Sequence, residues 1–217
     1  MMIIYAFVFG VGFGAREDYF GLFIFIGLTM WQFFNSVIKH SVKIIKSNKA
    51  ILSKVYIPKY VLILSDMLEN GFKMAVSFCI VIIMLFFFKV PVGWSVLWLL
   101  PVLPVLFLIT FSFSLILTHL GVFIQDMPNV IDILLRLMFY LTGIFYDIQK
   151  RLPAPFNFWI LRINPMACII VQTRGALLQK QVMMPELLLI WLIIGLVVAI
   201  FGIRLIYRNE NGYIKVI

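Results

Sequence analysis

Residues 39–59 read KHSVKIIKSNKAILSKVYIPK, a basic stretch that separates two long apolar runs. This stretch, the basic loop, holds six lysines and no acidic residue, so it belongs in water or at a membrane surface. Within it, Asn48 can cap a short helix that runs from Lys49 to about Ile57. Pro58 ends the predicted helix, because the residue before a proline is driven out of the α region.

Apolar side chains gather on one side of this short predicted helix, whereas Lys49, Ser53 and Lys54 lie elsewhere around its axis. The apolar residues are Ile51, Leu52, Val55 and Tyr56. An apolar face on a short helix in a charged loop either rests on lipid headgroups or binds a protein partner. The residues alone leave both alternatives open.

The composition indicates an integral membrane protein. Hydrophobic residues make up 64% of the chain and charged residues 12%, against about 45–50% and 25% in soluble domains. The apolar runs are unbroken rather than alternating, which predicts membrane-spanning helices and not barrel strands. The net charge of +9 fits cytoplasmic loops that face anionic lipid better than it fits nucleic-acid binding.

Six apolar segments are predicted to enter the membrane. They cover residues 2–14, 20–38, 60–88, 94–118, 129–146 and 186–206. The first is shorter than the roughly 20 residues that a spanning helix needs, so it is re-entrant, incomplete or part of a signal peptide. Residues 147–185 contain an apolar stretch over 166–178 that is also too short to cross, so it dips into the membrane or lies along its surface.

The basic loop is assigned to the cytoplasm, because its lysines directly flank two predicted spans. Residues 147–185 then lie on the opposite side of the membrane. They carry basic residues of their own, which weakens the charge asymmetry between the two sides.

Charged residues inside the predicted spans are candidates for function. Asp66, Glu69 and Lys73 lie near one helical face, and Glu69 and Lys73 have the i,i+4 spacing of an ion pair. Asp132 and Arg136 have the same spacing and are predicted to neutralise each other. Such groups serve either as a proton or ion relay or as structural contacts, and the structural role is favoured.

No motif for catalysis or metal binding is present. The sequence lacks a GxxxxGK[ST] phosphate loop, an HExxH motif, a GxSxG elbow and a cysteine pair with zinc spacing. We therefore expect a path, an anchor or a scaffold rather than an enzyme, with no metal and no cofactor in this chain.

The order of these features resembles the permease subunit of type-2 ABC exporters, and within them the branch that exports lipid-linked polysaccharide, O-antigen, capsule or wall teichoic acid. The resemblance covers nearly the whole chain. It is carried by Tyr5-Ala-Phe-Val-Phe-Gly10, Gly27-Leu-Thr-Met-Trp31 with Phe33-Phe34, NKAILSKVYIPKY over 48–60, Phe123-Ile-Gln-Asp126, Gly143-Ile-Phe-Tyr146, and Asn164-Pro165 followed by Arg174. Family members usually begin with an interfacial helix and a complete first span, and this chain begins within that span.

The resemblance implies an all-α, six-span permease in the cytoplasmic membrane of a bacterium, working as a homodimer with two separate ATPase subunits. ATP and magnesium would then bind the partner subunit. Residues 49–57 would form a coupling helix that docks into the ATPase, with Asn48, Lys49, Lys54 and Pro58 framing the four apolar anchors. Residues 147–185, which we call the gate segment, would form an external gate together with Tyr146, which precedes them. The resemblance assigns to this gate Tyr146, Trp159, Asn164, Pro165 and Arg174.

The resemblance also implies the cargo, a glycan-lipid that passes between two subunits along walls rich in aromatic residues. One alternative is a type-2 ABC permease for a smaller cargo such as a drug, a peptide or haem. A membrane scaffold or an enzyme without a motor is a third possibility, of a different class.

Overall fold

The computed structural model of the chain describes residues 19–91 and 93–216. These residues form helices and no strands, as the sequence predicts. The predicted segment 2–14 lies outside the described residues. The helices are α1 (Phe20–Ser41), α2 (Ile44–Ser47), α3 (Lys49–Leu52), α4 (Lys59–Phe87), a 3-10 helix (Trp94–Trp98), α5 (Leu99–Phe123), α6 (Met127–Leu141), α7 (Ile148–Arg151), α8 (Phe156–Ile163), α9 (Pro165–Leu178) and α10 (Pro185–Val216).

Four helices in the described part are long and apolar enough to cross a membrane: α1, α4, the 3-10 helix continued by α5, and α10. They match four of the predicted spans to within a few residues, except that α5 and α10 extend further than expected. Helix α6 ends at Leu141, five residues before the predicted end of its span. With 15 residues it is about 22 Å long, so it is shorter than the hydrocarbon layer.

Helix α1 lies at the centre of the bundle. It packs against α4, α5, α6 and α9. Of an apolar stretch of 18 residues in α1, 67% is buried, whereas the corresponding stretch of α4 is 22% buried. The core therefore forms around α1, whereas α4 and α10 leave broad apolar faces exposed. Those faces are suited to lipid or to another protein, since in a lipid environment apolar side chains need no burial.

Helices α5 and α10 form the most extensive helix pair. Small residues bring their backbones together: a Cβ added at Gly195 would lie 3.1 Å from the Leu108 side chain, and one at Gly202 would lie 2.7 Å from Leu115 Cβ. Ser112 Oγ crosses the contact and donates a hydrogen bond of 2.7 Å to the Gly195 carbonyl. This close approach is how helices associate where hydrophobic burial supplies no driving force.

The last helix continues past its predicted end at residue 206 and, instead of a loose polar tail, stays helical to Val216. Tyr213 is buried there, with its hydroxyl 2.7 Å from His119 Nδ1 and its ring beside Phe123. The end of α10 is thus held against the end of α5.

The start of the basic loop is fastened to the same end of α5. Thr118 Oγ1 donates a hydrogen bond of 3.0 Å to the Ser41 carbonyl. One turn later Gly121 lies so close to the chain that an added Cβ would overlap the Val42 carbonyl oxygen. The loop therefore leaves α1 in a fixed direction.

We predict that Gly121→Ala lowers stability, because the new methyl group displaces the Val42 carbonyl. Overpacking of this kind typically costs about 1–3 kcal/mol. Gly21→Ala is the matched control, since nothing lies within 4 Å of an added Cβ at that position in α1 and both changes gain the same helix propensity. Thermal unfolding of the two variants in detergent measures the difference. Equal midpoints would contradict the close contact.

Candidate functional site

The basic loop is folded against the bundle rather than free in solvent. After α1 ends at Ser41, the side chains of Val42, Ile44 and Ile45 are buried in the core. Two one-turn helices, α2 and α3, follow each other within the loop. The loop thus presents a defined surface on the side away from the bundle.

Asn48 does not cap the helix that follows it, contrary to the prediction. Its side-chain amide donates backward to the Ile44 carbonyl, at 2.8 Å, and so closes α2 instead. The helix after it is also shorter than predicted: α3 ends at Leu52, and one further backbone bond joins Val55 N to the Ile51 carbonyl. A β-branched and aromatic run before Pro58 disfavours further helical turns.

The four predicted anchors divide between the inside and the outside of the loop. Ile51, Val55 and Tyr56 are 52%, 57% and 67% exposed, whereas Leu52 is only 8% exposed and belongs to the main core. Leu52 is therefore an internal contact, and its assignment as a docking anchor is wrong. We refer to Ile51, Val55 and Tyr56 as the docking face.

Cationic side chains border the docking face. Lys49 and Lys54 are exposed on the short turns beside it. The Lys59 ammonium is 5.1 Å from the centroid of the Tyr56 ring, within the range of a cation–π contact. Pro58 precedes the first residue of α4 and directs the chain into that helix. The face is thus an apolar centre with a basic rim, the arrangement of a protein-binding patch.

The gate segment folds into three helices, of which α9 enters the bundle. Its residues from Pro165 to Leu177 are all buried, and it packs against α1, α5, α8 and the 3-10 helix. Its 14 residues measure about 21 Å. Of the two predicted placements, this burial supports an element that dips inward over one that lies along the surface.

Asn164 fixes the start of α9. Its side-chain Oδ1 accepts hydrogen bonds from the backbone nitrogens of Met166 and Ala167, at 3.0 and 3.2 Å, and its Nδ2 donates to Thr142 Oγ1 at 3.1 Å. Pro165 occupies the first helical position, where its missing N–H costs nothing. The predicted Asn-Pro motif is thus a helix cap that also holds the turn after α6.

Arg174 is the most heavily bonded of the predicted gate residues. It is 3% exposed and donates three hydrogen bonds to backbone carbonyls: Nε to Phe23 at 3.0 Å, Nη1 to Gly143 at 2.8 Å and Nη2 to Ile144 at 2.7 Å. The guanidinium also lies 3.5 Å from the centroid of the Phe23 ring. One side chain of α9 therefore joins the start of α1 to the turn that follows α6.

Two glycines make room for this arrangement. A Cβ added at Gly27 would overlap Arg174 Nη2, so only glycine fits there on α1. Gly143 has a φ of 71°, a left-handed conformation that glycine adopts without strain. Gly27 and Gly143 both belong to the motifs named above, but spacing alone gave no sign that they enclose the same side chain.

The remaining gate residues lie nearer the surface. Tyr146 donates a hydrogen bond of 3.2 Å to the Tyr140 carbonyl and is partly buried. Trp159, on α8, is exposed beside the Phe158 ring. The structure thus unites Asn164, Pro165 and Arg174 in one contact region and leaves Trp159 outside it.

The predicted pair of Glu69 and Lys73 is present, with its charged atoms 2.7 Å apart on the exposed surface of α4. Asp66 instead faces His40 of α1, whose Nδ1 lies 2.9 Å from Asp66 Oδ1. Asn70 donates to the same carboxylate oxygen at 3.2 Å. The contact of His40 with Asp66 joins α1 to α4, which fits a structural role for these charged side chains.

The predicted ion pair of Asp132 with Arg136 is wrong. Asp132 on α6 is paired with Lys39 on α1, with Lys39 Nζ 2.8 Å from Asp132 Oδ1. The i,i+4 rule finds partners within one helix and cannot find one from a neighbouring helix. Lys39 is the first residue of the basic loop, but only the packing of α1 against α6 shows that it faces Asp132.

The described ranges 19–91 and 93–216 contain no group of three or more His, Cys, Asp or Glu side chains placed to hold a metal ion. The two regions with a defined arrangement are the docking face and the contacts around Arg174. They lie near opposite ends of α1, and neither gathers the groups needed for acid–base or nucleophilic chemistry.

Comparison with known proteins identifies a family and several relatives. The model of the ABC-2 type transporter family matches residues 1–178. An O-antigen export system permease protein RfbA from Klebsiella pneumoniae is 27% identical over 216 residues, which cover 99% of this chain and 82% of that protein. The protein of the same name from Myxococcus xanthus is 25% identical over 172 residues, covering 77% of this chain and 65% of that protein.

We predict that Arg174→Lys destabilises the protein by about 2–4 kcal/mol, because lysine cannot reach three carbonyls at once and leaves buried acceptors unpaired. Arg162→Lys is the matched control: Arg162 is exposed in the same segment, and its guanidinium lies 3.7 Å from the Phe158 ring centroid. Thermal unfolding in detergent measures both variants. A similar small loss in each would show that the three bonds contribute little.

Proposed function

Because this chain belongs to the ABC-2 type transporter family, and is therefore a transport subunit in the bacterial inner membrane and not an enzyme, we propose that it exports a lipid-linked polysaccharide of the O-antigen type. The relatives named O-antigen export permeases support this cargo. The family implies an ABC ATPase as partner. In the proposal that partner binds ATP and magnesium, and this chain binds neither.

The observation that carries the proposal is the division of the basic loop into an inward side and an outward side. Leu52 is buried in the core, while the docking face of Ile51, Val55 and Tyr56 is more than half exposed. Exposed apolar side chains on an otherwise anchored loop are suited to fill a groove of a partner. We assign this groove to the ATPase.

Helix α1 connects the docking face to the gate segment. From Phe23, beside Arg174, to Ser41, where α1 ends in the basic loop, it spans 19 residues, about 27 Å of uninterrupted helix. Since a packed helix resists bending, a displacement of the loop would move the far end of α1 and with it the backbone that Arg174 holds. In this proposal the ATPase opens the gate segment through α1.

The homodimer is also part of the proposal. Helix α6 presents an exposed apolar face suited to a second copy of the chain, formed by Val130, Ile133, Leu134, Leu137, Tyr140 and Leu141. The exported glycan would pass between the two copies, where aromatic side chains can stack on sugar rings while the lipid portion remains in the bilayer.

We predict that Ile51→Asp combined with Val55→Asp releases the ATPase, because a buried carboxylate in a hydrophobic groove is strongly unfavourable. Pull-down of the ATPase with the tagged permease should fall by at least about tenfold, which corresponds to about 1.4 kcal/mol. Ser53→Asp is the control: it adds charge to the same loop at an exposed polar residue and should retain the ATPase.

Leu52→Asp separates docking from folding. Because Leu52 is internal, this variant should lower the yield of folded permease, whereas the double variant of the docking face should be produced at the normal level. Retention of the ATPase by that double variant would refute the docking role.

Export itself is tested in cells that lack the gene. We expect surface glycan to be absent and lipid-linked glycan to accumulate on the cytoplasmic side, with recovery on expression of the wild-type chain but not of the docking-face variant. Normal surface glycan in the deletion strain would refute the cargo while leaving the family assignment intact.

A further inference from the structure

A cavity of about 660 Å³ opens beside the end of α4 that is remote from the basic loop. Its deeper wall consists of the buried side chains of Val81, Leu85, Val90 and Leu177. Every residue that lines it is apolar except Lys89. The volume falls within the range of pockets that hold a ligand, and the lining selects a hydrocarbon.

The mouth of the cavity lies where a membrane interface is expected. Lys89 lies two residues after the end of α4, and Trp94 begins the 3-10 helix whose Val96 contributes to the wall. Lysine and tryptophan beside the ends of apolar helices mark the depth of lipid headgroups. The Trp98 indole is fixed by a hydrogen bond of 2.6 Å to Gln172 on α9.

A second cation lies on the same side of the molecule. The side chain of Lys180 passes along Gly93, with its Cγ 3.4 Å from the position of an added Cβ. The segment that joins α4 to the 3-10 helix therefore carries Lys89 and has Lys180 beside it. Basic pockets between membrane helices bind anionic lipid headgroups, and a lysine ammonium is a compact charge for a phosphate.

We propose that this cavity holds an acyl chain of an anionic glycerophospholipid from the leaflet opposite the basic loop, with the lipid phosphate at Lys89. The bound chain contacts α4, the 3-10 helix and Leu177 of α9, so it joins the gate segment to α4. We take the occupant to be a membrane phospholipid, because an acyl chain fits the hydrocarbon wall and a phosphate fits the single cation of the lining.

The test reconstitutes the full-length permease in vesicles of phosphatidylethanolamine and phosphatidylglycerol. A trace of phosphatidylglycerol with a photoactivatable diazirine near the end of one acyl chain is added, and the labelled peptides are mapped by mass spectrometry. We expect labelling of Phe78, Ile82 and Val96. The same probe built on phosphatidylethanolamine should label these positions several times less.

Two variants and two controls sharpen the experiment. Lys89→Gln should reduce labelling about fivefold by removing the attraction to the phosphate, and Leu85→Trp should reduce it by filling the cavity. The control Lys46→Gln removes an exposed lysine from the basic loop, and Ile83→Trp adds bulk to an exposed position on α4 outside the cavity. Both controls should label like the wild type. If the Leu85→Trp variant cannot be reconstituted, the labelling of Lys89→Gln alone still tests the proposal.

Three results would overturn the proposal. Equal labelling of the exposed faces of α4 and α10 by either probe, unchanged in Lys89→Gln, would mean ordinary lipid contact. Displacement of the probe by a stoichiometric amount of a polyprenyl phosphate would assign the cavity to the lipid carrier. Absence of label from the cavity residues would mean that protein fills it. Each of these is separate from the export assay, so the proposed function stands or falls independently.

Discussion

The interaction on which the rest of the structure depends is the contact of the Arg174 guanidinium with three backbone carbonyls. A cation buried within a membrane protein must replace its water with fixed dipoles, and here those dipoles come from Phe23, Gly143 and Ile144. The carbonyls belong to two separate parts of the chain, so the charge can be buried only when both are in place. Folding of the gate segment is thereby coupled to the position of α1.

In the described part of the chain, hydropathy was sufficient to predict the four helices that are long enough to span the membrane, because a run of apolar residues in lipid must satisfy its own backbone. The burial of α9 in the interior of the bundle could not be predicted from the sequence. A short apolar stretch is compatible with two placements, one that dips into the membrane and one that lies along its surface. The length of the apolar stretch excluded a membrane span, but the residues that α9 contacts could not be predicted. Thus Asn164 and Arg174 were recognised through resemblance, while their actual bonds to Thr142 and to the three carbonyls required coordinates.

Local rules failed where a side chain had a choice of partners. Asn48 has the residue type of an N-cap, yet its amide bonds backward to Ile44. Asp132 has a basic residue one turn away, yet it pairs with Lys39 from another helix. Leu52 shares an apolar face with Ile51 in sequence, but the loop turns that residue into the core. For Asp132 and Leu52, packing between elements overrode a preference that operates within one element. For Asn48, one local hydrogen bond replaced another.

The division of the basic loop between Leu52 and the docking face has a consequence for how such exporters can diverge. The side chain that holds the loop in place and those proposed to bind the ATPase are different residues, so substitution of one set leaves the other intact. Under the proposed docking role, the choice of ATPase can change through three exposed positions without loss of the permease fold. A permease that carries another exporter's residues at only those three positions would then be the smallest change that pairs it with that exporter's ATPase.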